Sequence, residues 1–376
     1  MTPGSVLRLE RPPESWQRLG LAMDRGSAGE FDSSVTGDPC IVWDDARGCY
    51  HMFYFAQKHI QGEEVNSNGH AVAQFSDSAG LGAWTKLGPL DYTNASALCG
   101  DTHKPWVLMD PYRSNVAAVI DGMYWLFTVS FRGSTKVIQL ATSESLDGPW
   151  RVRREPVIDV GCEDAFDGYH ADTITAYWFE KQGEIVLYYK GYPRLPQQNQ
   201  PHSPYGGCNA VAVMSPSDTV ARKVAKTLSP SPNPEHWTAG FVGGLQIFPA
   251  VQGGWYGILN ASPTPPVPVE QEPDMREPAP SLGGWAYTAE EWPVRGWRVA
   301  DQPIEWIEDI PEEAQNVGEG VNLWRHHILI LPNGEMYLFY NTGAYGQERL
   351  FVRHVPASQS PARWTEQRSS KDGSDG

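Results

Sequence analysis

The sequence predicts an all-β protein with the architecture of a five-bladed β-propeller. Two observations lead to this prediction. A strand that ends in a turn and a Trp recurs at intervals of about 70 residues, and a pair of strand-like apolar segments precedes each recurrence. Four strands in each of five repeats would build five four-stranded antiparallel sheets, as in a propeller. A β-sandwich is the alternative, but its strands would not recur with a unit of this length.

The recurring unit is a strand followed by a short Ser-rich turn and a Trp. Its tryptophans are Trp84, Trp150, Trp297 and Trp364. The first and last lie 280 residues apart, which corresponds to four intervals of about 70. The segment 209–228 supplies the remaining copy, in which the Trp is missing.

The paired apolar segments are rich in β-branched and aromatic residues and have turn formers between their halves. They are 40–56, 117–131, 174–191, 245–261 and 327–343. No segment shows a helical periodicity long enough to compete with this interpretation. The predicted organisation is therefore an N-terminal extension (1–30), one propeller domain (31–366) and a flexible C-terminal tail (367–376).

Composition and charge exclude several classes of partner. The net charge is −16 and no basic stripe is present, so neither nucleic acid nor an acidic membrane surface is an expected partner. No apolar run is long enough to span a bilayer. The N-terminal residues lack the apolar region of a signal peptide, which predicts a cytoplasmic protein unless a leader has been removed. Five cysteines without metal-ligand spacing are expected to be small buried thiols.

Three long connections are expected on one face of the propeller. They join the second and third strands of their repeats and span 57–69, 191–207 and 261–284. The hairpins between first and second strands are short by comparison. Long loops gathered on one face commonly form the walls of a functional cleft. The residues at the starts of the innermost strands would then form its floor.

The starts of the predicted inner strands supply the candidate functional residues. An acid at such a position is also typical of a turn cap, and Lys104 could pair with Asp101. Several acids from different strands that converge on one channel would shift each other's pKa values. Two carboxyls that differ in protonation are what cleavage of a glycosidic bond needs. The candidates are Asp32, Asp38, Asp101, His103, Lys104, Asp164, Asp167, His170, Asp172, Glu319, Arg325 and His326.

The order of these units resembles the five-bladed propeller glycoside hydrolases of families 43, 32 and 117. Asp38-Pro39 before an apolar strand, a turn and the aromatic strand YHMFYF is similar to their first blade, and ATSESLDGPW (141–150) resembles an outer-strand signature of family 43. His326 is similar to the fifth-blade histidine of family 43, which lies near a channel ion or water. The resemblance covers roughly residues 30–365 and depends on order and spacing rather than on one strong motif.

The resemblance implies that Asp38 is the general base and that Asp172 is an inner-strand acid of the third blade. The pattern departs at the second blade, where Lys104 stands in place of an Asp. No Glu matches the general acid of family 43, so Glu319, His170 and Asp172 remain candidates for that role. We expect substrate contacts from Asp32, His103, Lys104, Trp106, Trp324, Arg325 and His326.

The predicted function is hydrolysis of a glycosidic bond in an oligo- or polysaccharide, with inversion. No metal ligand set is predicted, although a channel-bound ion such as calcium stays open. One alternative is a propeller phosphorylase, in which Lys104, Arg113 and Arg325 would bind phosphate. Another is a non-catalytic carbohydrate-binding propeller. Phosphate-dependent turnover would identify the first, and binding without cleavage the second, because fold alone does not decide function.

Overall fold

The computed structural model describes residues 5–366 apart from 77, 79, 200–202, 204, 265–266, 269–274, 277–280, 305–322 and 345. Within these residues the secondary structure is β-strand with two short 3₁₀ turns, Ala95–Ala97 and Ala357–Gln359, so the predicted all-β class is confirmed. None of the described segments forms a helix long and apolar enough to cross a membrane.

From residue 35 onward the chain forms five antiparallel groups of strands in order, and one parallel pairing, of Lys136 with His170, joins the second group to the third. The chain starts with β1 (Ser5–Leu9) and β2 (Gln17–Met23). The first sheet then contains β3 (Val35–Asp44), β4 (Cys49–Ile60), β5 (Glu63–Ser76), β6 (Gly80–Leu81) and β7 (Thr85–Pro89). The second contains β8 (Thr102–Val107), β9 (Val119–Ile120), β10 (Met123–Arg132), β11 (Thr135–Ser143) and β12 (Arg151–Val152).

The remaining sheets follow the same plan. The third contains β13 (His170–Phe179), β14 (Glu184–Tyr192), β15 (Cys208–Met214) and β16 (Arg222–Leu228). The fourth contains β17 (Phe241–Pro249), β18 (Trp255–Ser262), β21 (Leu282–Thr288) and β22 (Arg298–Pro303), with the small hairpin β19 (Val267–Pro268) and β20 (Met275–Arg276) between its middle strands. The fifth contains β23 (His326–Ile330), β24 (Met336–Thr342) and β25 (Arg349–Val355), and β26 (Ala362–Glu366) ends the described chain.

The sheets contact one another in a closed cycle. The innermost strand of each of the first three sheets packs against that of the next: β3 against β8, β8 against β13 and β13 against β17. Strand β18 meets β23, and β23 returns to β3. Five antiparallel groups of four or five strands in a ring constitute a five-bladed propeller.

Ring closure uses the N-terminus of the chain. Strand β2 pairs with β25 as the outer strand of the fifth sheet, and β1 pairs with β26. Residues 1–30 therefore do not form an extension separate from the propeller, because seven of them complete a blade. The pairing covers the edge of β25, which would otherwise present unpaired backbone groups to water.

Pairing register fixes which loops share a face with the starts of the inner strands. Gly37 on β3 pairs with Phe55 near the end of β4, and Asp172 on β13 pairs with Lys190 near the end of β14. Phe241, the first residue of β17, pairs with Ser262. The segments 57–69, 191–207 and 261–284 thus lie at the end at which β3, β13 and β17 begin, as predicted. We call this end the loop face. The first of these segments is not a long loop, because β4 and β5 continue to a two-residue turn at 61–62.

Deletion of residues 1–24 is expected to destabilise the propeller strongly. The deletion removes β1 and β2 and exposes the edges of β26 and β25 to solvent. Scanning calorimetry should show a midpoint lowered by more than about 5 °C, together with concentration-dependent aggregation, because 1 kcal/mol shifts the midpoint of a large domain by about 2 °C. Leu19→Thr is the matched control, since Leu19 is an exposed side chain of the same strand. An unchanged midpoint in the deletion would show that β2 does not close the ring.

Candidate active site

Four inner strands carry a β-bulge at the same level near the loop face. The ladder of hydrogen-bonded pairs is interrupted between Gly37 and Cys40 of β3 and between His103 and Trp106 of β8. It is also interrupted between Val242 and Leu245 of β17. It also skips Thr173 of β13. A bulge leaves its extra residue unpaired and turns nearby side chains to new directions.

Three of these bulges hold a residue other than glycine in the left-handed region. The φ angles are 46° at Asp38, 52° at Lys104 and 45° at Thr173. Such angles are uncommon for any residue but glycine, and a β-branched residue such as Thr173 adopts them rarely. Pro39 and Pro105 follow the first two, at positions where the interrupted ladder requires no N–H donor. The equivalent bulges bring Asp38, Lys104 and the neighbour of Thr173 to one end of the channel.

Asp172 lies in a buried ion-pair cluster that joins the second and third sheets. Its carboxylate oxygens lie 2.9 and 2.8 Å from Nζ of Lys104, and one of them lies 3.4 Å from Nζ of Lys136. The backbone N–H of Thr173 donates to the same carboxylate over 2.7 Å. Burial alone would raise the pKa of Asp172, but the two lysines hold it well below its ordinary value. Asp172 is therefore ionised at neutral pH and is a poor proton donor.

Asp38 occupies the first sheet at the level of Lys104. Its backbone N–H donates to Oδ1 of Asn341 over 3.2 Å, and the N–H of Arg325 donates to the same oxygen over 3.2 Å. A side chain at Gly37 would place its Cβ 2.8 Å from the Asn341 amide nitrogen, so this approach requires glycine. Asn341 thereby fixes the start of β3 against the fifth sheet.

The guanidinium of Arg325 is buried beneath the site. One of its nitrogens donates to the carbonyl of Ile174, and its central carbon lies 5.0 Å from the ring centre of Trp106. Burial lowers the pKa of Arg325, and the nearby charge of Asp38 opposes this effect. Arg325 is therefore a fixed positive charge next to Asp38.

Glu348 is a site residue that the sequence did not reveal. It precedes β25 on the loop face, and its backbone carbonyl accepts the N–H of Thr36 in the first sheet. Only 6% of Glu348 is exposed, and one carboxylate oxygen has no hydrogen-bond partner. Burial, with a further contribution from the charge of Asp38, raises the pKa of Glu348 to about 7, although backbone N–H groups act against the rise. Near neutral pH, a large fraction of this carboxyl is protonated.

Two predicted histidines are buried in aromatic surroundings. His103 stacks on Phe131 at 4.9 Å between ring centres, and burial holds its pKa well below the ordinary value, so it is neutral. His170 accepts the backbone N–H of Lys136 at Nδ1 over 3.2 Å. That contact places the proton of a neutral His170 ring on Nε2.

The adjacent histidines of the fifth sheet face different neighbours, and His327 rather than the predicted His326 contacts the first and second sheets. His327 Nε2 lies 2.6 Å from the Asn115 amide nitrogen and 3.4 Å from the backbone nitrogen of Ile41. His326 instead faces the fourth sheet, where a side chain on Gly283 would lie 2.3 Å from its Nε2. Successive residues of a strand point to opposite sides, which explains the exchange. The Asn115 amide also donates to the carbonyl of Ile41, so it links the histidine to the first sheet.

Asp32 belongs to a structural ion pair and not to the floor of the cleft. Its carboxylate accepts hydrogen bonds from Lys86 at 2.6 Å and from the Tyr54 hydroxyl at 3.1 Å. The third sheet repeats this arrangement with Asp167, where the partners are Lys223 at 2.6 Å and the Tyr189 hydroxyl at 2.8 Å. The repetition identifies Asp32 and Asp167 as supports of the loops that precede β3 and β13.

The two predicted aromatic platforms differ in accessibility. Trp106 is fully buried beneath Arg325, and its indole N–H donates to the carbonyl of Ala176. A covered ring cannot stack on a sugar, so the prediction for Trp106 is wrong. Trp324 is partly exposed next to Arg325 and keeps its predicted role as a hypothesis. Glu319 lies outside the described residues.

Comparison with known proteins identifies structural relatives only. No known family model matches the sequence, and no curated protein is similar to it. A solved structure named glycoside hydrolase matches with a TM-score of 0.64 at 12% identity, over 91% of this chain and 93% of that one. An α-L-arabinofuranosidase from Podospora anserina in complex with cellotriose matches with a TM-score of 0.56 at 13% identity, over 92% and 99% of the two chains.

A third similar structure is named for family 130, a family of mannoside phosphorylases. That family also contains glycoside hydrolases that target β-1,2 mannosidic linkages in Candida mannan. The structure matches with a TM-score of 0.56 at 14% identity, over 92% of this chain and 95% of that one. At these identities the likeness establishes the fold. The resemblance to the fold of propeller glycoside hydrolases is thereby confirmed.

The raised pKa of Glu348 predicts a specific dependence of stability on pH. A carboxyl with a higher pKa in the folded than in the unfolded state stabilises the fold when protonated, and this contribution is lost as pH rises from about 4.5 to about 7. A shift of this size corresponds to roughly 3 kcal/mol at 1.36 kcal/mol per pKa unit. Urea unfolding should show that wild type loses stability across this range relative to Glu348→Gln. Parallel pH profiles for the two proteins would contradict the assignment.

Proposed function

We propose that this protein is a glycoside hydrolase that cleaves a glycosidic bond with inversion, at the loop face of the propeller. The observation that carries the proposal is a pair of carboxyl groups, Asp38 and Glu348, held in different environments at the same junction of the first and fifth sheets. Cleavage of a glycosidic bond needs one carboxylate and one protonated carboxyl. The names of the structural neighbours support a carbohydrate as substrate.

Asp38 is proposed as the general base. The bulge fixes its backbone, and Arg325 and Asn341 fix its surroundings. The nearby positive charge of Arg325 favours the ionised form of the carboxylate, as a base requires. A base that deprotonates water makes the displacement a single step, which inverts the anomeric centre.

Glu348 is proposed as the general acid. It is the described carboxyl near Asp38 whose pKa, about 7, keeps it partly protonated at neutral pH. A proton donor works best when its pKa lies near the working pH. Asp172 cannot fill this role, because its lysine partners keep it ionised.

Asp172, Lys104 and Lys136 are proposed to form the substrate-binding side of the cleft. The lysine side chains retain 18% and 15% exposure although their partner Asp172 is buried. Each ammonium carries three donors, so hydroxyl or anionic groups of a sugar can bind beside the ion pairs. Asp172→Asn would leave the lysines less firmly held and should weaken substrate binding as well as turnover.

A phosphorylase is the second candidate. Two lysines share one carboxylate at this face, so the cluster carries a net positive charge that could bind phosphate. The family-130 structure comes from a group described as phosphorylases that contain hydrolases. Sugar release that depends on phosphate and yields a sugar phosphate would favour this candidate over hydrolysis.

Asp38→Asn is expected to reduce turnover by at least 10²–10⁴-fold with little change in sugar binding, because the amide keeps the shape of the side chain and lacks the basic oxygen. Azide should restore part of the activity, since it attacks without a base. A screen of aryl glycosides and plant or algal oligosaccharides, read by released sugar, supplies the substrate. Asp45→Asn, in an exposed hairpin of the same sheet, is the control. Binding without cleavage by wild type would instead indicate a non-catalytic propeller.

Glu348→Gln should affect substrates according to their leaving groups. Loss of the proton donor should slow hydrolysis of natural linkages by 10²–10⁴-fold and that of nitrophenyl glycosides much less, because nitrophenolate leaves without protonation. Wild-type activity should fall above about pH 7, and the variant should not show this fall in its pH profile. Glu335→Gln, on the opposite face, is the control. An equal loss for both classes of substrate would exclude Glu348 as the acid.

A further inference from the structure

A second cluster of chemically active side chains lies in the first sheet, toward the end of the propeller opposite the loop face. His51 on β4 and His70 on β5 face each other, with Nδ1 of the first 2.8 Å from Nε2 of the second. Asp147, from the connection between β11 and β12, completes the group, and the three ligand atoms lie within 4.8 Å of one another. His51 pairs with Val42, four positions beyond Asp38 along β3, so this cluster is separate from the proposed active site.

We propose that His51, His70 and Asp147 form a binding site for a divalent transition metal ion such as Zn²⁺. The ligands would be Nδ1 of His51, Nε2 of His70 and a carboxylate oxygen of Asp147. Two imidazoles and one carboxylate are a common protein ligand set for Zn²⁺, and a water molecule completes four-coordination. The site would bind the first sheet to the second, because its ligands come from both.

The protonation pattern of the two rings suits metal binding. Oδ2 of Asp44 lies 3.3 Å from Nε2 of His51, and this nearby negative charge favours the tautomer with the proton on Nε2 and the lone pair on Nδ1. A metal-bound histidine commonly has a carboxylate at its other nitrogen in this way. His70 Nε2 is then the donor in the 2.8 Å contact, and on metal binding its proton moves to the other ring nitrogen.

Aromatic packing holds the second imidazole of the site in place. Phe53 stacks on His70 at 4.9 Å with the ring planes 6° apart, which holds the imidazole in place.

Two adjustments are required for metal binding, and both are small. The two nitrogen atoms must separate from 2.8 Å to about 3.3 Å, the spacing of two ligands at 2.0–2.1 Å in a tetrahedron. Arg47 must release Asp147, to which it is bonded at 2.5 and 2.6 Å. Both side chains of that pair are more than 40% exposed, and an ion pair exposed to water contributes little. Exposure of Asp147 also gives the ion a route to the buried histidines.

The test is a titration of the chelator-treated full chain with ZnCl₂. Calorimetry measures the binding, and thermal unfolding measures the change in stability. Wild type should bind one tight equivalent of Zn²⁺ and gain thermal stability. Co²⁺ bound in its place should show the visible absorption of a tetrahedral site. His70→Ala should lower the affinity at least 100-fold and abolish that absorption, and Asp147→Asn should lower affinity at least 10-fold.

Asp147→Asn keeps the test decisive if His70→Ala folds poorly, because Asp147 is exposed and its replacement leaves the core intact. His59→Ala is the matched control, since His59 is an exposed residue of the same strand as His51. The proposal is overturned if wild type binds no tight equivalent, or if both ligand variants bind Zn²⁺ as wild type does. The second result would assign the binding to the acidic surface in general.

Discussion

The site depends on one backbone constraint, the bulge that interrupts the inner strands near the loop face. Asp38, Lys104 and Thr173 each adopt a positive φ there, a conformation that costs on the order of 1–3 kcal/mol per residue. The surroundings offset this cost. Oδ1 of Asn341 accepts the N–H of Asp38, and the carboxylate of Asp172 accepts the N–H of Thr173. Three sheets thereby present charged groups at one level, which regular strands would not do.

Environment rather than residue type assigns different chemistry to the acids of this face. Asp172 and Glu348 are almost equally buried, at 1% and 6% exposure. Two lysines compensate Asp172, so it stays ionised, whereas no described ion pair compensates Glu348, so burial favours its protonated form. A pair of carboxyls separated in pKa is what acid–base catalysis requires. In this propeller the separation comes from the two lysines of the second sheet, which bind Asp172 and have no counterpart among the described ion pairs of Glu348.

Features of the fold that local sequence patterns encode could be predicted. Repeated hairpins and turns predicted the strands, and Asp38 and Lys104 were expected near the starts of inner strands, but the bulges at these positions were not predicted. Features set by contacts between distant segments were missed. Glu348 has no motif around it, and it is buried in the folded chain, where its backbone carbonyl accepts the N–H of Thr36, more than 300 positions away. The different surroundings of His326 and His327 were not predicted, because a shift of one residue reverses the side of a strand that a side chain occupies.

Ring closure by β2 was not predicted for the same reason, since its partner β25 is at the other end of the chain.

The acids before β3 and β13 show that residue type alone does not identify a reactive carboxyl. Asp32 lies six residues before Asp38, and Asp167 lies five before Asp172, yet both upstream acids are bound by a lysine and a tyrosine of their own sheet.

Lysine partners thus distinguish acids that hold the fold from acids that are available for chemistry. By this criterion Asp172, which binds Lys104 and Lys136, belongs with the positioning residues. Asp38 has Arg325 beneath it instead, a guanidinium whose hydrogen bond to Ile174 fixes it to the third sheet. A positive charge held in this way can stabilise the carboxylate of Asp38 while the carboxylate acts on a water molecule. The same propeller end therefore contains structural and reactive carboxylates within a few residues of one another.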